Sequence, residues 1–160
     1  MLTLFYGYHV ACLGLQECPT SGMLWAEAIG MEARPSQKSK GADAWKRCPN
    51  DPLIALALAR VFWADRQLDK AKSWFERAIQ LDPDYGDIWV YAYAFEKAYG
   101  SPESIQGVLD RAAAAEPHHG ERWPVFAKRV ENHDLGPREL LLGLYQELIV
   151  GGTGNSMSVS

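Results

Sequence analysis

The sequence has no basic excess. Its 16 Lys and Arg are outnumbered by 20 Asp and Glu, for a net charge of −4 at pH 7. A dedicated nucleic-acid binder gains affinity by neutralising phosphates and carries a positive surplus, so that class has no global support. Cysteine is scarce too. Cys12, Cys18 and Cys48 are odd in number and form no C-x-x-C pair, which argues for a reducing compartment and against a zinc site. Long apolar runs are missing. The most apolar stretch, Met1 to Leu15, is interrupted by Gly7, His9 and Gly14. It lacks the basic start of a signal peptide and is too short to span a bilayer. It reads instead as the last helix of a repeat whose first helix is missing, in an intracellular protein, with Gly7, Ala11 and Gly14 at slots that want small residues.

Catalytic signatures are absent as well. No Ser/His/Asp or Cys/His constellation stands out. Gly151-Gly152-Thr153-Gly154 has no preceding strand and no following Lys or helix, so it is not a phosphate loop. His118-His119 sits in a turn, and adjacent side chains diverge, so the two make a poor metal pair. Neither an enzyme, a cofactor, a metal nor a small-molecule substrate is expected.

What is present is a ruler. Pro, then Gly three residues on, then Trp three after that, occurs at Pro19-Gly22-Trp25, at Pro83-Gly86-Trp89 and at Pro117-Gly120-Trp123. At average Pro and Gly usage one such window arises by accident on the order of once in 10,000. The second and third copies are 34 apart (117 − 83), and Pro49 lies 34 before Pro83 with Pro52 and Ala55 in the Gly and Trp slots. A 34-residue period marks a helix–turn–helix repeat. The expected fold is all-α: a right-handed α-solenoid of stacked antiparallel helix pairs over residues 1–150, divided as 1–18 (partial), 19–48, 49–82, 83–116 and 117–150. Residues 151–160 have no apolar period and should form a disordered tail.

Within that frame the first full repeat has helix A over about 21–32 and helix B over about 38–47, the break falling at Pro35. Lys and Arg crowd the connection from Arg34 to Arg47. This repeat is four residues short, a deficit expected in the connection or in helix B. The second repeat has Asp51 as N-cap and Pro52 as first helical residue, then helices to about Asp65 and over 68–81. The third runs 85–99 and 102–115. The fourth has helix A from Trp123 to near His133, and helix B through Leu140, Leu141, Leu144 and Leu148. Ala55, Leu58, Ala59, Phe62, Ala71, Phe75, Ala78 and Pro83 resemble the tetratricopeptide pattern.

Two repeats add a Glu seven residues after Trp, at Glu32 after Trp25 and at Glu96 after Trp89. This form resembles the HAT (half-a-TPR) repeat of RNA-processing scaffolds. A Glu on the buried side needs a partner. The match narrows further. Leu15-Gln16-Glu17-Cys18-Pro19, Thr20-Ser21-Gly22-Met23-Leu24-Trp25, Glu32-Ala33-Arg34-Pro35, Asn50-Asp51-Pro52, Ala59-Arg60-Val61-Phe62-Trp63, Lys70-Ala71-Lys72-Ser73-Trp74-Phe75, Gly86-Asp87-Ile88-Trp89 and Glu116-Pro117-His118-His119-Gly120 occur in that order. Together they resemble the C-terminal end of the pre-mRNA-processing factor 6 family, the HAT/TPR scaffolds of the spliceosomal tri-snRNP. The resemblance implies a nuclear, non-enzymatic scaffold segment in mRNA splicing whose partners are tri-snRNP proteins. That family is much longer, which implies a fragment or truncated product.

Trp25, Glu32, Phe62, Phe75, Trp89, Glu96 and Trp123 are expected in the repeat core. Arg34, Lys38, Lys40, Arg60, Trp63, Trp74 and Lys128 are the candidate partner contacts, because Trp and Arg dominate binding hot spots. The basic 34–47 loop either touches RNA backbone or an acidic partner peripherally, or is a solvated connection. The alternative function is a TPR adaptor that binds a chaperone or other peptide in its concave groove. The expected clamp slots hold Leu56, Arg60, Val90, Ala94, Pro124 and Lys128, without the Asn such a clamp needs.

Overall fold

The computed structural model describes residues 2–151, with side chains from Tyr6 onward; of the tail expected at 151–160, Gly151 is helical, because it continues the last helical turn, and 152–160 lie outside the described residues. The described residues are helical and contain no β-strand. The helices are α1 Leu2–Glu17, α2 Gly22–Met31, α3 Arg34–Arg47, α4 Pro52–Ala64, α5 Leu68–Leu81, α6 Gly86–Tyr99, α7 Pro102–Ala115, α8 Trp123–Ala127 and α9 Pro137–Tyr145. The chain divides between Leu81 and Asp82 into two compact units.

In the first unit α2 packs on α1, α3 and α4, and α4 packs on α3 and α5. Two of its helices, α2 and α4, start on side-chain caps. Ser21 accepts from the Leu24 amide at 3.4 Å, and Asp51 accepts from Leu53 and Ile54 at 2.9 and 3.2 Å. These bonds satisfy amides that have no partner inside a helix. The core joins Trp25, Ile29, Ala44, Ile54, Leu58 and Val61, with Phe62 and Trp74 partly buried against it. Ala55, Ala59, Ala71 and Ala78 are fully buried; their short side chains let α4 and α5 approach closely.

Two expectations for this unit need correction. Helix B of the first repeat starts at Arg34, not Lys38, so the basic 34–47 segment is a helix and not a loop. Pro35 lies in the first turn of α3, where its missing N–H costs nothing. The four-residue deficit lies mainly in helix A. Helix α2 has 10 residues against 13 in α4, while α3 and α5 have 14 each.

The second unit holds two of the Pro-Gly-Trp turns and shows what they do. Trp89 donates its indole N–H to the Pro83 carbonyl at 2.8 Å, and Trp123 to Pro117 at 2.7 Å; in the first unit Trp25 does so to Pro19 at 2.9 Å. The six-residue spacing is thus a staple across the turn. The glycines leave room for the neighbouring turn. A Cβ on Gly86 would lie 2.1 Å from the Trp123 ring, and one on Gly120, at φ +145, would lie 2.4 Å from Asp87 Oδ1. Successive turns are sewn together. Gly86 N–H donates to His119 O at 2.7 Å, and the His118 and His119 amides donate to Asp84 O.

The fourth repeat departs from expectation. Its helix A does not reach His133. Helix α8 has five residues and a 3-10 turn follows at Val130–Asn132. The Asn132 side chain donates to Phe126 O at 2.9 Å, occupying a carbonyl that a continuing helix would use. Helix α9 packs on both α6 and α7, with Leu141 and Leu144 fully buried and Tyr145 edge-on to Tyr93 at 4.9 Å. A π-turn at Gln146–Val150 closes the unit. Arg129 grips Glu147 there through two bonds of 2.6 and 2.8 Å.

Candidate protein-docking groove

The short α2 leaves a hollow between itself and α4. Its floor comes from Ala26, Ile29 and Gly30 of α2 and from Ala57, Val61 and Ala64 of α4, each set spaced along one helical face. The rim carries Arg60 of α4 and, from the first turn of α3, Arg34 and Gln37. The hollow holds about 260 Å³. Arg34 and Arg60 are exposed. No acid belongs to the lining. Asp65, just past the end of α4, is ion-paired with Lys38. That bond first, and then the charges of Lys38 and Arg34, hold the Asp65 carboxyl below the usual carboxylate range. The site therefore offers two guanidinium forks over a shallow aliphatic floor. Its lining holds no group placed for bond chemistry. Among the described residues no cluster of three or more His, Cys, Asp or Glu is suited to a metal ion.

Of the expected contacts, Arg34 and Arg60 are brought together and the others are not. Lys38 is spent on Asp65 and lies 5.9 Å from the Phe62 ring centre. Lys40 faces inward, 5.7 Å from both the Tyr8 and the Trp25 rings and 3.9 Å from Glu32. With Asp43, Lys46 and Arg47 it lines a separate hollow beside Trp25. Lys128 is exposed in the second unit, beside Trp123, Pro124 and Leu135. Trp63 and Trp74 are half-buried rather than exposed anchors. Trp63 stands edge-on to Phe75 at 6.0 Å, and Trp74 edge-on to Trp45 at 4.9 Å, with Arg77 over both indoles of that pair. Large rings on α4 and α5 cover core surface that small residues leave open, so packing claims them first.

The residues expected in the core are graded. Trp25, Phe75, Trp89, Glu96 and Trp123 are buried, while Glu32 and Phe62 are half-buried. The two Glu slots are used alike. Ser104, eight residues after Glu96, donates to it at 2.7 Å; Lys40, eight after Glu32, lies 3.9 Å from it. Glu32 also accepts from Tyr8 of α1 at 3.0 Å, linking one repeat to the next. That bond, first among the causes, pushes the Tyr8 hydroxyl up to about 12.

Sequence reasoning missed Asp87 and Asp84. Asp87 is 5% exposed and accepts from the Arg122 and Trp123 amides, both at 2.9 Å. Asp84 accepts from His118 Nδ1 at 2.9 Å and pairs with His119 Nε2 at 3.1 Å. The His118 hydrogen bond holds the Asp84 carboxyl below its ordinary range. The 34-residue separation of Asp84 and His118 was a usable signal, since it equals the repeat period.

Comparison with known proteins bears on what this architecture serves. A tetratricopeptide repeat family model matches residues 52–95. Pre-mRNA-processing factor 6 of Homo sapiens is 47% identical over 100 residues, 62% of this chain and 11% of that protein. Protein STABILIZED1 of Arabidopsis thaliana is 46% identical over 99 residues, 62% of this chain and 10% of that protein. Pre-mRNA-splicing factor prp1 of Schizosaccharomyces pombe is 39% identical over 127 residues, 79% of this chain and 14% of that protein. The chain thus spans about a tenth of the length of these relatives. Over most of its own length, this helical-repeat chain is a homologue of the pre-mRNA-processing factor 6 proteins.

Proposed function

We propose that this chain is a non-catalytic, protein-binding segment of a nuclear pre-mRNA splicing factor, and that it bridges proteins within the spliceosomal tri-snRNP. The observation that carries this reading is the likeness to named splicing factors at up to 47% identity. The geometry supports it. Stacked helix pairs present side chains over a broad surface and suit macromolecular partners, and the α2–α4 hollow is open and carries no chemistry of its own.

The rival reading is a repeat adaptor for chaperone peptides. Immobilised chain, incubated with nuclear extract and washed, should retain spliceosomal proteins. Retention of chaperones alone would overturn the splicing reading in favour of the adaptor.

A further inference from the structure

Helix α1 has no charged face. Of its 16 residues Glu17 alone is an acid, and there is no Lys or Arg. A helix so apolar is normally covered on every side. Here one side is covered. A Cβ on Gly7 would lie 3.3 Å from Met31 and one on Gly14 3.0 Å from Leu24, so this side meets α2, and Ala11 between them is buried. No other helix packs on α1 to a like extent. The opposite side is bare. Tyr6, Val10 and Leu13 are 75%, 50% and 47% exposed, and the other exposed positions from Tyr6 on are His9, Gln16 and Glu17. Steps of four, three and four residues join Tyr6, Val10, Leu13 and Glu17 in one seam, the spacing by which helices pair side by side.

Symmetry and charge select what covers this seam. Tyr6, His9, Val10 and Leu13 keep the same spacing read in either direction. A two-fold axis between His9 and Val10 therefore sets Tyr6 of one copy against Leu13 of the other, and His9 against Val10, as a self-complementary contact requires. Charge sets the direction. In an antiparallel pair each Glu17 lies beside the first turn of the other α1, which has no acid of its own and carries the positive end of the helix dipole. Parallel helices would put the two Glu17 side by side. With no Lys or Arg on α1, an anionic membrane or a nucleic acid finds no cation there. We propose that this face of α1 docks a second copy of the chain, antiparallel, through Tyr6, Val10 and Leu13. The pairing is independent of the splicing reading.

The test is sedimentation equilibrium of the whole chain under reducing conditions, which keep the exposed Cys18 from cross-linking copies. The chain should show a monomer–dimer equilibrium. Tyr6→Lys and Leu13→Glu each put a charge into the seam at an exposed position, and each should weaken the dimer by about tenfold or more. Mixed in equal amounts, the two variants should dimerise nearly as tightly as the natural chain, because the antiparallel pair sets the new Lys against the new Glu. Circular dichroism checks that both keep the natural helix content. If either loses it, Val10→Ser decides: a milder change at the centre of the seam, it should weaken the dimer as well. A chain that stays monomeric up to about 1 mM, or association that runs past the dimer, would overturn the proposal. So would association unchanged in the variants, or a mixture no tighter than either variant alone.

Discussion

Trp89 and Pro83 are joined by a 2.8 Å hydrogen bond from the indole N–H to the proline carbonyl, six residues apart in sequence. The ring itself is 2% exposed. Trp89 therefore closes its turn and fills its core with one side chain. Trp89→Ala should destabilise the chain by about 3–5 kcal/mol, as deletion of a large buried ring does. Trp89→Phe keeps most of the apolar volume and deletes the donor, and should cost about 1–3 kcal/mol. Urea denaturation followed by circular dichroism measures both. A loss below about 0.5 kcal/mol for the alanine variant would show that the ring is not a core element.

Gly86 and Gly30 are both glycines at a helix, yet they should respond oppositely to alanine. Gly86→Ala drives a methyl group into the Trp123 ring. Overpacking of that kind costs about 1–3 kcal/mol. Gly30 sits inside α2 with open space beside it. There alanine should be neutral or stabilise by about 0.5–1 kcal/mol, through reduced backbone entropy of the unfolded chain. Melting temperatures of the two variants, measured side by side, check the contrast.

Asp87→Ala should cost about 1–3 kcal/mol, because it strands the Arg122 and Trp123 amides without an acceptor. Asp87→Asn retains one oxygen and should lose less. Hydrogen exchange provides the second readout: the Trp123 amide should exchange faster in the alanine variant while amides of α4 stay unchanged.

Much of this design could be read from the residues alone. The bounds of α5 at Leu68 and Leu81 and the end of α7 at Ala115 follow the expected ones, because the prolines after them and the 34-residue period agree there. The Pro-Gly-Trp spacing also marked the three tryptophans that staple their turns. The misses have physical causes. Pro35 carries two meanings, a helix break or a first helical turn, and local sequence does not choose between them. Helix α8 stops short where Asn132 bonds back to Phe126, a local choice with no periodic signature. At the groove, Arg34 and Arg60 were legible as basic residues, but that they line one hollow depends on how α3 and α4 pack. Lys38 and Lys40 looked equivalent to them. Their turn toward Asp65 and Glu32 is set by helix phase rather than composition.

Stability should depend on pH in opposite senses at the two extremes. The carboxyls of Asp84, Asp65 and Glu147 are held low, chiefly by His118, Lys38 and Arg129 respectively. Their contribution is present above the ordinary carboxylate value and is lost as pH falls through their folded values. Tyr85 behaves the other way. Burial, followed by the charges of Asp87 and Glu121, pushes its hydroxyl from 10.0 up to about 12. Its contribution is full below pH 10 and is lost as pH rises through about 12. The stability difference between the natural chain and Tyr85→Phe should therefore change over that alkaline window and stay flat between pH 6 and 9. A difference that is constant from pH 9 to 12 would rule out the shift.

The central claim, that this chain joins a splicing assembly through protein surfaces, is met most directly by quantitative proteomics of immobilised chain in nuclear extract with and without ribonuclease. Spliceosomal proteins should be enriched over a scrambled-sequence control, and the enrichment should survive ribonuclease. Its loss on ribonuclease treatment, or recovery of chaperones in place of spliceosomal proteins, would contradict it.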